Sequence, residues 1–247
     1  MTQPSSSPEL VWVAGVGANA GLGAAVARRF ARAGLTAVLT GRSPERLHEV
    51  ASAIEAQGGR AVPLAGDVGR EAEVVALAAR VAELGTLSVA VYNAAAWVAA
   101  PSLELSAERF EQVLRVTTVG GFVFGREAVR AFLPRERGTL LYTGATASLR
   151  GRPPFAAFAA AKAGLRSVSQ TLAREFGPRG IHVAHAVIDG GIDGERLRSH
   201  AADRVAKAGP DGLLDPDAIA EAYFQLHTQP RSAWTQELDL RPFKESF

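Results

Sequence analysis

The chain of 247 residues has no cysteine. That excludes disulfides, thiolate metal sites and cysteine nucleophiles, and it leaves the redox compartment unmarked. No apolar run is long enough to span a bilayer. Met1 to Pro8 is polar and Ser/Pro-rich and lacks the charged-then-apolar order of a secretory leader. The expectation is a disordered tail over residues 1–9 and one soluble, cytoplasmic domain over 10–247, with no membrane partner. Charge imbalance is also lacking: 27 Lys and Arg stand against 25 Asp and Glu, a formal net charge of +2. With no basic run to follow a phosphate backbone, nucleic acid is not an expected partner. There is no Gly-x-Ser-x-Gly elbow, and none of the five histidines follows a serine and an acid in a hydrolytic order. His182 and His185, three apart in a strand, point to opposite faces, so no metal pair is expected.

What is present is organised around Leu10 to Phe30. Leu10 to Ala14 is a short apolar run, Gly15-Val16-Gly17-Ala18-Asn19-Ala20-Gly21-Leu22-Gly23 a small-residue turn, and Ala24 to Phe30 has helical period. Strand, glycine-rich turn and helix in that order place backbone N–H groups and a positive helix end where a pyrophosphate can sit. Such turns also occur for packing alone.

The alternation continues. Strands are predicted at 37–40, 61–65, 87–92, 139–143, 181–188 and 237–240, and helices at 44–57, 71–84, 106–132, 155–176 and 217–227. Ser43 and Ser106 are the expected caps, with Pro44 at a first helical position. This predicts an α/β fold, a single Rossmann-like doubly wound domain. Its seven-stranded, mostly parallel sheet has helices on both faces and ligands outside the carboxyl ends of the strands. Residues 189–214, rich in Gly, Asp and Arg, are the candidate mobile flap.

An acid that would bind a ribose 2′-hydroxyl is missing after the second strand, where Thr40-Gly41-Arg42 stands. The guanidinium fork of Arg42 suits a 2′-phosphate, so NADP is favoured over NAD. A solvated arginine opening a loop is the alternative.

Gly17-x-x-x-Gly21-Leu22-Gly23, Asp67-Val68 after strand three, Asn93-Ala94-Ala95 after strand four and Lys162 in a long helix resemble the short-chain dehydrogenase/reductases, over Leu10 to about Leu240. The resemblance implies that Gly17, Asn19, Gly21, Leu22 and Gly23 cradle the cofactor and that Asp67 and Val68 meet the adenine. It further implies that Asn93 and Ala94 line the cleft, that Lys162 holds the nicotinamide ribose, and that Gly190 and Ile192 lie beside the carboxamide. A turn role for Asp67 and a strand-end hydrogen bond for Asn93 stay open. The fold also implies small-molecule substrates and a homo-oligomer, dimer or tetramer, paired through the long helices.

The resemblance breaks at the chemistry. The family's tyrosine, four residues before the lysine, is Phe158; its serine, thirteen before that tyrosine, is Ala145; its helix asparagine is Thr117. Phenylalanine has no proton to give, and removing a placed acid or base costs about a hundred- to ten-thousand-fold. Val16, Ala95, Asp189 and Gly194 replace further family residues around the cofactor. The groups available as substitutes are Lys162, Thr146 beside the vacated serine, and Asp189, which can act as a base or cap the next segment. Tyr142 is read as a core residue with a satisfied hydroxyl. Trp97, Ala145, Ser148, Phe155 and Phe158 are the expected substrate wall, against which stands ordinary aromatic packing. The sequence therefore predicts an NADP(H)-dependent oxidoreductase that transfers a hydride without the Tyr/Ser pair. The alternatives are a non-redox enzyme of the same fold (elimination, isomerisation or cyclisation) and a non-catalytic dinucleotide-binding module.

Overall fold

The computed structural model describes residues 7–245. Seven parallel strands form one sheet in the order β3-β2-β1-β4-β5-β6-β7. They are β1 (Glu9–Ala14), β2 (Thr36–Gly41), β3 (Arg60–Ala65), β4 (Thr86–Tyr92), β5 (Gly138–Thr143), β6 (Ile181–Ile188) and β7 (Glu237–Leu240). The order reverses between β1 and β4, and it is there that a doubly wound sheet opens a crevice at the carboxyl ends of its strands.

The helices are α1 (Leu22–Arg32), α2 (Pro44–Glu55), α3 (Glu71–Leu84), α4 (Ala107–Leu114), α5 (Gly120–Phe132), α6 (Ala156–Phe176), α7 (Glu195–His200), α8 (Ala202–Ala208) and α9 (Pro216–Thr228). One sheet face buries Val11 and Val13 with Val26 and Phe30 of α1, Leu47 and Ile54 of α2, and Ile219 and Tyr223 of α9. The other buries Trp12 and Tyr92 with Leu77 of α3, Phe124 of α5 and Leu165 of α6. Strands covered on both faces lose the in–out alternation of a half-exposed sheet, which is why β2, β5 and β6 are buried along their whole length. Ser43 and Ser106 cap α2 and α4 as expected, each hydroxyl accepting from the amide three residues on (3.3 Å). Among the described residues no helix is long and apolar enough to cross a membrane.

Several element ends shift by one or two residues from the sequence reading, and three further features are new. Residues 1–6 of the expected tail lie outside the described residues, but Glu9 is already in β1, paired with Thr86. The predicted helix over 106–132 is interrupted by a π turn at Arg115–Val119, which leaves Thr117 fully buried. Its Oγ1 there accepts from Ala96 N at 3.2 Å. The flap contains two short helices, α7 and α8, and its base is stapled by an Ile192–Leu214 bridge.

Candidate active site and cofactor cleft

The glycine turn is built from the sheet outward. Gly15 has φ +89°, and a Cβ there would lie 2.4 Å from Ala94 N. A Cβ on Gly23 would lie 2.7 Å from Gly15 O, the atom to which Asn93 Nδ2 donates at 3.0 Å. Asn93 thus makes the strand-end bond that the sequence left open, and it ties β4 to the turn. Above Gly17 the space is open: among the described residues, nothing beyond its chain neighbours lies within 4 Å of where a Cβ would stand. α1 starts behind Gly21 with no side-chain cap and no acid in its first turn, so its leading amides face that space without a side-chain acceptor. An open surface over a glycine and an uncapped helix N-terminus fit a dinucleotide pyrophosphate.

Asn19 is exposed, and its O and Oδ1 both accept from Arg28 Nη1, at 2.7 and 2.8 Å, which stiffens the turn. Leu22 and Val68 are buried, and Arg42 is exposed at the end of β2. Asp67 Oδ1 accepts from Gly69 N at 2.9 Å, so at least one carboxylate oxygen serves a turn. Gly190 takes φ +152° immediately after β6. A Cβ on Gly194 would lie 3.1 Å from Ala20 O, which brings the base of the flap against the glycine turn.

At the carboxyl end of β5 every residue is pinned. Thr143 O accepts from Lys162 Nζ at 2.7 Å, and Thr143 Oγ1 accepts from Tyr223 Oη at 2.9 Å. Gly144 N donates to Ala186 O at 2.7 Å. Thr146 Oγ1 donates to Asp189 Oδ1 at 2.5 Å. Asp189 is almost completely buried, with Arg150 and Arg241 at 3.7 and 3.6 Å to offset its charge. Thr146 and Asp189, chosen separately in the sequence, therefore form one unit.

Lys162 is buried at 3% exposure with no acid bonded to it among the described residues. Its Nζ lies 5.8 Å from the centre of the Phe158 ring. Burial, with the Arg196 cation as a smaller contribution, pulls its pKa down to about 7. Tyr142 is wholly in the core, where it donates to Gly121 O at 3.0 Å, and burial pushes its phenol upward.

Trp97 is 49% exposed and faces Phe155, ring centres 5.5 Å apart. Ala145 and Phe158 are half-buried. Ser148 departs from the expected substrate wall: it is 4% exposed, and its Oγ accepts from Ala145 N (3.1 Å) and meets His185 Nε2 (3.3 Å). Gly144 leaves the room for this, since a Cβ there would stand 2.4 Å from the imidazole. His185 Nδ1 in turn meets Glu237 Oε2 at 3.1 Å, and Arg166 grips both Glu237 oxygens at 2.7 Å. A serine, a histidine and an acid meet here, although not in the hydrolytic order whose absence the sequence shows. Because the hydroxyl faces the backbone and is buried, the chain fixes the 145–148 loop; it offers no accessible nucleophile. Burial pushes the His185 pKa down to about 4.

Arg196 on the flap was also missed by the sequence reading. Its guanidinium carbon lies 5.5 Å over the Trp97 ring. No motif marks it.

The family model described as short chain dehydrogenase matches residues 11–205. The chain is 35% identical over 201 residues to 3beta-hydroxysteroid dehydrogenase 1 of Eggerthella lenta, an alignment covering 80% of this chain and 77% of that protein. Among solved structures, a short-chain dehydrogenase from Rhodopseudomonas palustris is 40% identical with a TM-score of 0.82, covering 95% of this chain and 99% of that one. A metagenomic short-chain oxidoreductase solved in complex with NADP is 25% identical with a TM-score of 0.80, covering 97% and 99%.

Proposed function

The chain belongs to the short-chain dehydrogenase/reductase family of oxidoreductases, and from that premise we propose that it is an NADP(H)-dependent oxidoreductase working without the family's tyrosine and serine. When bound, the nicotinamide dinucleotide gives or takes a hydride. In this reading Gly17, Gly21, Gly23 and the amides opening α1 hold its pyrophosphate, Arg42 its 2′-phosphate and Asp67 with Val68 its adenine. Asn93, Ala94 and Lys162 flank the nicotinamide ribose, and Gly190 and Ile192 lie by the carboxamide. A relative crystallised with NADP and the exposed Arg42 without a nearby acid on the strand end support NADP over NAD.

The observation behind the altered chemistry is the state of Lys162. A buried ammonium that donates to Thr143 O, with a pKa near 7, exchanges a proton at neutral pH, the task a phenol performs elsewhere in the family. In reduction, Lys162 gives the proton, directly or through one water. In oxidation the alcohol proton passes back to the neutral Lys162 amine, directly or through that water, while Thr146, whose hydroxyl donates to Asp189, offers the alcohol an acceptor that orients it before the transfer. Small organic carbonyls, imines and conjugated alkenes are the substrate class, bounded by Trp97, Phe155 and Phe158. The exposed Val119 and Phe122 on the α4–α5 side supply an apolar face for a homo-oligomer.

The test is the double variant Phe158→Tyr/Ala145→Ser. Gain of NADPH-dependent ketone reduction over the parent shows that the hydride geometry is intact and only the acid differs. A variant that binds NADPH and reduces nothing favours the non-redox enzyme or the binding module.

A further inference from the structure

We propose that the cleft takes a substrate bearing a carboxylate beside a flat apolar group, with Arg196 as the residue that grips the carboxylate. The proposal extends the reading above, since it places this anion at the nicotinamide end of the same cleft.

The charged side chains nearest Arg196 in the sequence are paired within the protein. Glu195 pairs with Arg46 at 3.1 Å, and Arg198 holds both oxygens of Asp193 at 2.8 and 2.9 Å. Arg196, between them, has no carboxylate within ion-pair distance among the described residues. It lies over Trp97, which turns its other contacts toward Phe155. Partial desolvation lowers the Arg196 pKa, and Arg196 in turn depresses Lys162. Arg196 is exposed, so it presents a guanidinium, unpaired among the described residues, beside the Trp97–Phe155 wall and within electrostatic reach of the buried Lys162. An anion that meets the guanidinium fork gains charge-assisted hydrogen bonds and offsets the positive field felt at Lys162.

Trp97 and Phe155 decide what kind of anion. A planar group slides along the exposed indole while its carboxylate meets Arg196, which remains stacked on the same ring. A phosphate of the cofactor is the competing source. Gly194, not Arg196, faces Ala20 and Gly21 of the phosphate turn, whereas Arg196 faces Trp97. That assigns Arg196 to substrate.

Calorimetric titration with phenylglyoxylate and with its methyl ester, on the free protein and with NADPH present, tests this. The acid is expected to bind at least about tenfold tighter than the ester, the effect of one charge-assisted bidentate pair. Arg196→Met is expected to abolish the preference with NADPH affinity unchanged, and Arg196→Lys to retain part of it. Equal affinity for acid and ester, no binding of either, or a preference that survives in Arg196→Met overturns the proposal. So does an Arg196→Met protein that loses NADPH affinity and keeps the preference, since the guanidinium then serves a cofactor phosphate. A parent protein that fails to bind NADPH sinks the oxidoreductase reading instead. The acid–ester comparison on free protein still stands in that case.

Discussion

The hydroxyl of Thr146 and the carboxylate of Asp189 stand 2.5 Å apart across 43 residues of sequence. They join the loop after β5 to the end of β6. If this pair orients the substrate oxygen, Thr146→Val and Asp189→Asn each lower alcohol oxidation about a hundredfold or more, and Thr146→Ser restores most of the rate. NADPH titration by fluorescence shows binding unchanged in all three. Equal loss of rate and of cofactor binding in Thr146→Val marks the pair as structural only.

Lys162 sets the pH dependence. With its pKa lowered from 10.5 to about 7, the ammonium needed for reduction is lost as pH rises through 7. The reductive rate is expected to fall above pH 7 with one apparent pKa there, and Lys162→Met to flatten the profile. Stability moves the other way. Below pH 7 the lysine is charged folded and unfolded, so the burial cost is carried in full. Between pH 7 and 10.5 the native chain has already shed the proton, and stability rises with pH. Denaturant titration of the parent and of Lys162→Met at several pH values reads that slope, which the variant loses.

His185 and Glu237 act together under acid. Burial lowers the His185 pKa from 6.5 to about 4, and the hydrogen bonds from Arg166 hold Glu237 below its ordinary value. In both cases the unfolded chain binds protons first, so both links weaken as pH falls: His185 from about 6.5 toward 4, and Glu237 below its ordinary range. His185→Gln is expected to remove a loss of stability between pH 6.5 and 4 on the order of 1–3 kcal/mol, read as a flatter melting temperature over that range. A parent and variant with parallel melting curves across that window contradict this.

The fold was legible because apolar runs, turn glycines and caps repeat in an alternating order that only a parallel sheet satisfies. Leu10 to Ala14 and Ile181 to Ile188 appear in the structure as read, and β7 closes the sheet beside β6. The π turn at Arg115–Val119 was not legible, since its residues keep helical character and the Ala96 amide that Thr117 meets there comes from a distant loop. Individual site residues were visible, but their couplings were not. Ser148, His185, Glu237 and Arg166 meet because β6 and β7 place His185 opposite Glu237, a register that no local pattern encodes. Arg196 carries no signal at all in the sequence, because its importance lies in the pairing of its neighbours.

Arg42 gives the cofactor choice its sharpest readout. Arg42→Ala is expected to weaken NADPH by about tenfold or more through loss of a guanidinium–phosphate pair, with little change for NADH, which has no 2′-phosphate. Equal weakening of both nucleotides places Arg42 outside the 2′-phosphate site.

Everything proposed for the chemistry depends on a dinucleotide lying over Gly17 and the amides that open α1. Isothermal calorimetry of the intact protein with NADPH and NADH measures this directly. The structure predicts saturable one-site binding with NADPH the tighter of the two; the absence of heat with both nucleotides contradicts the account.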